Sequence, residues 1–563
     1  PKANLRTSMD NKIATVRIGN KAGVPSVPNV LAEVTSYENL RETCEKADIG
    51  HDLVLQSAFG DSGGLWSHLY DTVLGRYISN TLILMAGVGV VAIGFGVSSA
   101  WVISRYDFAG RRMLEWMLLL PAAIPAYIIA YSYTEFFEYA GPLQSGLRHL
   151  FGWQSPRNYW FPEIRSLGGA ILVMASVLYP YIYMVTRIAF RLTPASLFEI
   201  ALVHNRSQFW QVGLPLARPA IMAGLALVMM EVMSDFGTVE FFAIETITLG
   251  IFNVWLGMNN LVAAAQISIV GFGFILALLG LELYARSRQQ YVSSSRNQTP
   301  LAMLVPTKAG VLACWAVCAI PLLFGFFIPV GVLVGLVATN DLLADFLAIR
   351  GIIGNTLIVA AIAAVVIMVL SAFIVVTATF RAGSKTRKLA LFASTGYAFP
   401  GTILAIGVLI FTGQLDRAIA AVFGSQFQGI LITSIGVLFL AYIVRFQAVG
   451  YGAMISGVRR LPANMMNASR VLGQGYMDSI RRVIMPLLKS SFLAGMMLVF
   501  VDVMKELPMT LLLRPFNFDT LATYTYQFAK DEMLEVAALP ALMIVLSGLV
   551  PVMLMSAMLR RYR

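Results

Sequence analysis

Residues 80–83 read Asn-Thr-Leu-Ile, and residues 355–358 repeat the same four letters 275 positions later (355 against 80). Each copy opens an apolar run that could cross a bilayer, which takes about 20 residues in a helix. The same offset aligns residues 123–125, Ala-Ile-Pro, with residues 398–400, Ala-Phe-Pro. Matches at one offset predict two related halves, because self-similarity at a fixed period marks a repeat architecture.

The composition is that of a membrane protein. Of 563 residues, 58% are hydrophobic and only 13% are charged, whereas a soluble domain has roughly 25% charged residues. A soluble enzyme and a disordered chain are therefore excluded as the main body of the protein. The formal charge of +11 is typical of basic cytoplasmic loops, so we expect a lipid bilayer around the chain and no nucleic-acid partner.

Eleven apolar runs are long enough to span the membrane. They are 79–103, 113–133, 167–186, 217–236, 262–284, 310–338, 352–379, 389–412, 426–448, 490–507 and 536–558. The sixth run stands between two sets of five, and it is long enough to tilt or to be broken at Pro321 and Pro329. Because five spans plus one make an even number, both sets face the same way, as a parallel repeat about an axis along the membrane normal.

The predicted fold is an all-α polytopic membrane protein with two parallel five-helix units joined by a linker transmembrane helix. The expected domains are an N-terminal tail of unassigned role, a first unit, a linker with its outer loop and a second unit, at residues 1–78, 79–309, 310–345 and 346–563. The tail has no apolar run of spanning length.

Lys and Arg are concentrated in alternate loops. One set of loops holds 24 of them, at 104–112, 187–218, 285–309, 380–388, 449–489 and 559–563. The other set holds 7, at 134–166, 237–261, 339–351, 413–425 and 508–535. Basic loops stay on the cytoplasmic side of a membrane. We therefore expect the first set and the C-terminus to be cytoplasmic, and the N-terminal tail to lie outside.

Two cytoplasmic loops occupy the same place in the two halves, between the third and fourth spans. They are residues 187–216 and 449–489, and they end in apolar-Pro steps at Pro215 and Pro486. Each contains a short helix-forming stretch. Such a helix suits the docking of a cytoplasmic partner, and the alternative is an interfacial helix that only covers the base of the bundle. Its presence in both halves favours docking.

The second loop resembles the EAA loop of binding-protein-dependent ABC importer permeases, which reads Glu-Ala-Ala, three residues, Gly, nine residues, Ile, any residue, Leu-Pro. Ala468, Gly473 and Pro486 match at the motif spacing, while Asn467 stands at the Glu position and Ser469 at the second Ala.

The first loop resembles the same motif with a deletion. Glu199 and Ala201 match, and Asn205 replaces the Gly. Glu199 lies 16 residues before Pro215 (215 against 199), whereas 19 residues separate the corresponding positions of the second loop (486 against 467). The first loop is thus about three residues short.

Over residues 70–563 the chain resembles the fused, two-unit permeases of ferric-iron importers. The likeness is carried by residues 505–508, Lys-Glu-Leu-Pro, by the stretch 511–523, by residues 214–219, Leu-Pro-Leu-Ala-Arg-Pro, and by the run 119–127.

This resemblance implies a pore without its own motor, in the inner membrane of a bacterium. Two copies of a cytoplasmic ATP-binding subunit would grip the two loops and hold the ATP, and a periplasmic ferric-ion-binding protein would deliver the cargo. The chain itself would be no enzyme and would bind no cofactor. Consistently, it has no G-x-x-x-x-G-K-[ST] phosphate loop. Residues 383–386, Gly-Ser-Lys-Thr, lack the upstream Gly and are interpreted as a basic cytoplasmic loop.

Four acids sit near the outer ends of equivalent spans. Glu231 and Asp235 lie four residues apart on one helical face, and Asp502 and Glu506 repeat the pattern 271 positions later (502 against 231), with Lys505 beside them. Ionisable residues in spans are costly and mark function, and hard cations prefer oxygen ligands. The acids either line a path for a cationic or ferric ligand, or pair locally and cap helices. The histidines are scattered, so no metal ligands are assigned. Tyrosines such as Tyr127 and Tyr181 are attributed to an interfacial belt, with ferric ligation as the alternative.

Two alternatives remain open. The cargo of an importer of this class could instead be thiamine, a polyamine, a phosphonate or a small anion. A secondary transporter driven by an ion gradient would also have parallel repeats, but it would work alone and would not need paired docking loops.

Overall fold

The computed structural model describes residues 62, 64–287, 303–340, 342–380, 390, 396–424, 429–462 and 464–561. Within these residues the regular elements are helices, and the strand-like pairing is an isolated parallel bridge between Tyr106 and Leu304. The predicted all-α membrane architecture is confirmed. The basic 383–386 loop and most of the N-terminal tail lie outside the described residues.

We number the helices in chain order. Those of the first half are α1 (Leu65–Arg105), α2 (Arg111–Met117), α3 (Ala126–Phe137), α4 (Pro142–Phe151), α5 (Leu167–Leu192), α6 (Ala195–Val203), α7 (Phe209–Ser234), α8 (Gly237–Phe241), α9 (Ile247–Phe252) and α10 (Leu261–Ser287). The helix between the halves is α11 (Lys308–Thr339). Those of the second half are α12 (Leu342–Phe380), α13 (Gly401–Phe423), α14 (Ile435–Val458), α15 (Met465–Val471), α16 (Tyr476–Met504), α17 (Pro508–Leu513), α18 (Leu521–Lys530) and α19 (Leu534–Arg561).

Eight helices of the described residues are long and apolar enough to cross a membrane, or nine if a pair bent by 95° forms one span. The eight are α1, α5, α7, α11, α12, α13, α14 and α16. The bent pair is Arg111–Ala123 with Ala126–Phe151. The apolar parts of α10 and α19, Leu261–Phe274 and Leu534–Val550, are shorter. Each of the eleven predicted runs thus overlaps a helix.

The helix that contains the first predicted span begins earlier than the apolar run does. Residues 65–78, assigned to the tail, belong to α1, which begins after Gly64 in a left-handed conformation. Leu69 and Leu74 of this added part are buried. Polar residues such as Asp71 and Arg76 interrupt its apolar pattern, which is why hydropathy misses it.

Prolines account for the other shifted boundaries. The second span is broken after Ile124, which is extended because the residue before a proline is pushed out of the α region. In the second half α13 begins directly after Pro400, the repeat equivalent of Pro125, and covers Gly401–Phe423, whereas most of the first part of the predicted run 389–412 lies outside the described residues. By contrast α11 stays continuous past Pro321, through a π-helical turn at Leu323–Phe327. Finally, α12 begins at Leu342, so the expected domain limit at residue 346 falls inside a helix.

Three helices form the centre of each half: α1, α5 and α7 pack together, as do α12, α14 and α16. The same close approach recurs in both. A Cβ on Gly224 would lie 2.9 Å from the Cα of Ile182, and a Cβ on Gly495 would lie 2.7 Å from the Cβ of Ala453. The two glycines are 271 positions apart (495 against 224), and Val185, which a Cβ on Gly224 would also meet at 2.9 Å, is the equivalent of Ala453 at the offset of 268 that holds in this span (453 against 185). Small residues that let helices approach are a general feature of membrane bundles.

The residues that begin the repeat make the same hydrogen bonds twice. The side-chain amide of Asn80 donates to the carbonyl of Glu245, as that of Asn355 does to the carbonyl of Asp519. One residue later, the Oγ1 of Thr81 accepts from the backbone N–H of Ile247 at 3.1 Å, and Thr356 accepts from Leu521 at 2.8 Å. These paired contacts support the structural equivalence of the halves.

The halves exchange contacts through their last helices. The second-half helix α19 packs on the first-half turn Leu120–Ala123, and the first-half helix α10 packs on α13. Between them α11 packs along α3 and α19. The central space of the bundle is therefore bordered by both halves.

We predict that the two repeat threonines stabilise the fold to a similar extent. Thr81→Val and Thr356→Val each leave a buried backbone N–H without its acceptor, at a cost of about 1–3 kcal/mol. The measurement is thermal unfolding of the purified chain in detergent. Thr412→Val is the matched control, because the Thr412 hydroxyl only donates within its own helix. Equal stability of the two test variants and the control would contradict this role.

Candidate functional site

The first of the two predicted docking loops, residues 187–216, contains α6. We call α6, and its counterpart α15 in the second docking loop, the coupling helices. Ala195, Phe198 and Ala201 form its buried face, whereas Glu199 is exposed. The Phe198 ring lies 6.0 Å from that of Trp101 in α1. This spacing of three residues is one face of a helix, so α6 lies on the bundle and presents its other face outward.

The second predicted coupling loop contains α15, which is placed in the same way. Met466 and Ser469 are buried, while Asn467 and Ala468 are exposed. The Ser469 hydroxyl shares a hydrogen bond with that of Ser479 at 2.8 Å, which fastens α15 to the start of α16.

Both helices end at a residue with positive φ, Asn205 at 51° and Gly473 at 81°. The next N–H then turns back into the helix: Arg206 donates to Ala201 O at 2.8 Å, and Gln474 donates to Ser469 O at 3.2 Å. Glycine adopts this conformation freely, and asparagine is the other residue that tolerates it. Asn205 is therefore the structural counterpart of the motif glycine.

The three-residue difference between the loops lies after this turn. In the first half the π-helical start of α7 follows closely, and Gln208 donates to Phe198 O at 3.0 Å while accepting from Arg105. In the second half the residue equivalent to Gln208 is Ser479, 271 positions later (479 against 208). Pro215 and Pro486 both follow a π-helical turn. A proline has no backbone N–H, so the helix lacks one hydrogen-bond donor there.

Both coupling helices expose an apolar side chain beside their end. Val203 and Val471, 268 positions apart (471 against 203), are 83% and 87% exposed. Leu202 and Leu472 are exposed next to them. Apolar side chains at matched places on both loops suit a contact with another protein.

The five predicted path residues line one cavity. Glu231, Asp235, Asp502, Lys505 and Glu506 come from both halves and surround a space of about 120 Å³, which can hold several water molecules. The structure thus brings together the acids whose sequence pattern recurs in the two halves.

Asp235 and Glu506 each lie just before the N-cap of a short helix and accept hydrogen bonds from its first turn. Asp235 accepts from the N–H of Thr238 at 2.9 Å at the start of α8. Glu506 accepts from the N–H groups of Met509 and Thr510 at 3.1 and 3.2 Å at the start of α17. The first amides of a helix have no partner within it, and a side-chain oxygen supplies one. The capping alternative therefore holds for these two acids, which face the cavity at the same time.

The other two acids differ between the halves. Asp502 pairs with Lys505 at 2.8 Å, whereas Glu231 accepts a hydrogen bond from the Tyr397 hydroxyl at 2.6 Å. Glu506 is also paired, with the buried Arg445 at 3.4 Å.

Two residues that line the cavity, Tyr397 and Arg445, are not among the candidates from the sequence. Tyr127 and Tyr181, attributed to an interfacial belt with ferric ligation as the alternative, also line it. Arg445 could have been found, because an ionisable residue inside the predicted span 426–448 is a signal of function. Tyr127 and Tyr181 border the cavity instead of an interfacial belt. Nothing in the sequence indicates that Tyr397 meets Glu231.

No group of three or more His, Cys, Asp or Glu side chains in the described part of the chain is arranged to hold a metal ion. Cys314 and Cys318 are free and buried in α11. The cavity therefore offers oxygen and nitrogen atoms of acids, tyrosines and two cations.

The chain is similar to membrane components of known transport systems. Residues 92–289 match the model of the family described as binding-protein-dependent transport system inner membrane component. The chain is 24% identical to Fe(3+)-transport system permease protein FbpB 2 of Haemophilus influenzae, over 86% of this chain and 90% of that protein. It is 23% identical to a putative ferric transport system permease protein, FbpB 1, of the same organism, over 76% and 68% of the two chains. It is also 26% identical to a putative 2-aminoethylphosphonate transport system permease protein, PhnU, of Salmonella choleraesuis, over 42% and 84%.

Proposed function

Because this chain is a permease subunit with a binding-protein-dependent transport system inner membrane component at residues 92–289, we propose that it passes ferric iron across a bacterial inner membrane. One observation supports the assignment of ferric iron as the cargo. The likeness to an Fe(3+)-transport permease extends over 86% of this chain and 90% of that protein. The phosphonate permease covers only 42% of this chain. The family match also favours an ATP-driven importer over a gradient-driven secondary transporter.

The partners we propose are two copies of a cytoplasmic ATP-binding subunit. Each copy docks on one coupling segment, the first consisting of residues 195–205 and the second of residues 465–473. Support comes from the exposed faces of α6 and α15, which carry Glu199 in one and Asn467 and Ala468 in the other, and from the exposed Val203 and Val471 at their ends. ATP stays on those partners, and this chain contributes no catalytic residue.

A periplasmic ferric-ion-binding protein is the third proposed partner, on the opposite face. Basic residues concentrate in the loops that hold the coupling segments, which supports a cytoplasmic location for these loops and for the C-terminus. Loops with few basic residues, including 237–261 and 508–535, then face the periplasm.

In this conformation ion pairs join the halves across that outer face. Glu240 of α8 accepts from Lys530 of α18 at 2.6 Å and from the Tyr526 hydroxyl. Arg165 contacts Glu532 at 3.2 Å and Glu138 at 2.7 Å. Burial, and then the Glu240 carboxylate, raise the pKa of Tyr526, so its hydroxyl stays protonated and donates. We interpret this outer latch (Glu240, Lys530, Tyr526, Arg165 and Glu532) as the contact that must break for cargo to enter.

The decisive experiment is reconstitution of the full chain in proteoliposomes with its ATP-binding subunit and binding protein. We expect uptake of ferric iron that requires ATP and the loaded binding protein. Uptake of another cargo under the same conditions would overturn the ferric assignment. Gradient-driven uptake by the chain alone would overturn the ATP-driven class.

We predict that Gly473→Ala weakens capture of the ATP-binding subunit about tenfold. An alanine at φ 81° costs roughly 1–2 kcal/mol, and about 1.4 kcal/mol corresponds to tenfold in affinity. Gly473→Asn should restore capture, because asparagine holds the same turn at Asn205. Gly475→Ala is the matched control: its φ is −66°, and an added Cβ would meet nothing closer than 3.7 Å. Equal capture by Gly473→Ala and Gly475→Ala would show that this turn does not shape the docking segment.

We predict that Glu240→Gln raises ATP hydrolysis in the absence of binding protein about two- to fivefold. The variant weakens an ion pair across the halves, and exposed pairs contribute about 0.2–1 kcal/mol. The control is Glu245→Gln, which breaks a pair of the same 2.6 Å length between Glu245 and Arg76 within the first half. If both variants leave hydrolysis unchanged, the outer latch does not hold the closed state.

A further inference from the structure

The acids that line the cavity form ion pairs in the second half but not in the first. Within the second half each acid has a cation: Asp502 bonds Lys505 at 2.8 Å, and Glu506 bonds Arg445 at 3.4 Å. Within the described residues no ion pair includes Glu231 or Asp235 of the first half. Four carboxylates face two cations, so the lining of the cavity carries a formal excess of two negative charges.

The two first-half acids keep oxygen lone pairs for a ligand. Glu231 accepts one bond, from the Tyr397 hydroxyl, and Asp235 accepts two, from the N–H and hydroxyl of Thr238. An ionised carboxylate has about four acceptor positions. Lys505 also lies within electrostatic reach of Glu231, but its direct bond is to Asp502.

An independent observation comes from Tyr127. Its side chain is 4% exposed and lines the cavity, yet its hydroxyl has no hydrogen-bond partner. Most buried polar atoms in proteins are hydrogen-bonded, and the Tyr127 hydroxyl is one of several exceptions among the described residues. Gly237, at the start of the helix that Asp235 caps, makes room for it: a Cβ there would lie 2.7 Å from the Cβ of Tyr127. The Tyr127 side chain lies within electrostatic reach of Glu506 and of Asp235, the acid that is in no ion pair within the described part of the chain.

We propose that Glu231, Asp235, Tyr397 and Tyr127 form a transient binding site for a hard trivalent cation inside the cavity, while Asp502 and Glu506 serve to hold Lys505 and Arg445. The inference rests on the proposed transport function and names the atoms that its cargo meets. Carboxylate and phenol oxygens are hard donors, which suit a small ion of high charge.

The repeat explains how one half can bind while the other is neutral. Arg445 of α14 aligns with Val177 of α5 (445 against 177), and Lys505 aligns with Ser234 after the three-residue deletion (505 against 234), so the first half has acids without their cations. Both Val177 and Ser234 line the same cavity. A site with few protein ligands also releases its ion, as a transport path requires.

The test uses the purified full chain in lipid nanodiscs with Tb³⁺ as a redox-inert hard cation. Tyrosines that line the cavity should sensitise Tb³⁺ emission. Glu231→Gln should weaken Tb³⁺ binding about tenfold or more, since a bond to a charged group contributes about 1.5–3 kcal/mol. Tyr127→Phe should weaken it measurably without affecting thermal unfolding, because the removed hydroxyl has no partner to lose.

Tyr131→Phe is the matched control. Tyr131 lies four residues along the same helix, is also 4% exposed and also has an unpartnered hydroxyl, but it does not line this cavity. Its variant should bind Tb³⁺ as the wild type does. Wild-type binding by both Glu231→Gln and Tyr127→Phe would overturn the proposal, and so would a loss in Tyr131→Phe equal to that in Tyr127→Phe.

Different results would refute the proposed cargo and the proposed binding site. Ferric uptake by the wild-type complex that is unchanged in Glu231→Gln would overturn the site and leave the transport function standing. Uptake of a different cargo, with Tb³⁺ binding still dependent on Glu231, would overturn the ferric assignment and support the site. Binding of inorganic phosphate that is lost in Lys505→Met, without any Glu231-dependent Tb³⁺ binding, would assign the cavity to an anion and overturn the proposal.

Discussion

A helix that starts inside a membrane bundle must find acceptors for its first backbone N–H groups. In lipid no water supplies them, and each unpartnered group costs several kcal/mol. This constraint is met twice here, by Asp235 at α8 and by Glu506 at α17. The caps allow the chain to stop two long helices, turn and start again. They also place a carboxylate from each half at the central cavity, so the polarity of the cavity follows from how the backbone is satisfied.

The two halves keep this backbone and diverge in side chains. Thr81 and Thr356 accept equivalent amide bonds, and Gly224 and Gly495 allow equivalent helix contacts. The charged side chains, in contrast, are distributed differently in the two halves. Buried charges are stable when paired, and the second half pairs its acids internally through Arg445 and Lys505. The first half does not, and its Glu231 meets a tyrosine from the second half. A parallel repeat would give a cavity with two similar sides, whereas this divergence gives one neutralised side and one side with unpaired acids.

The sequence predicts what depends on local pattern. Apolar runs locate the helices, the Asn-Thr-Leu-Ile repeat aligns the halves, and the motif spacing identifies Asn205 as the counterpart of Gly473. Its failures have physical causes. Part of α1 is amphipathic and escapes a hydropathy criterion, and Pro125 and Pro400 reset where the next helix begins. The bond between Tyr397 and Glu231 joins residues 166 positions apart, and only the folded chain brings them together.

The helices α7 and α16 connect the two functional regions of the proposed transporter. Each contains a π-helical turn and a proline near its start, shortly after a coupling segment, and each ends beside the cavity, close to Asp235 or Glu506. Helix interiors are close-packed and transmit displacement rather than absorb it. A shift of α6 or α15 therefore reaches Glu231 or Asp502 along one helix. The next residues belong to α8 and α17, and α8 carries Glu240 of the outer latch. Docking segment, cavity acid and latch residue thus follow one another along a continuous stretch of the first half. In the proposed orientation, a displacement of the coupling segment would therefore have a direct covalent route to the outer latch.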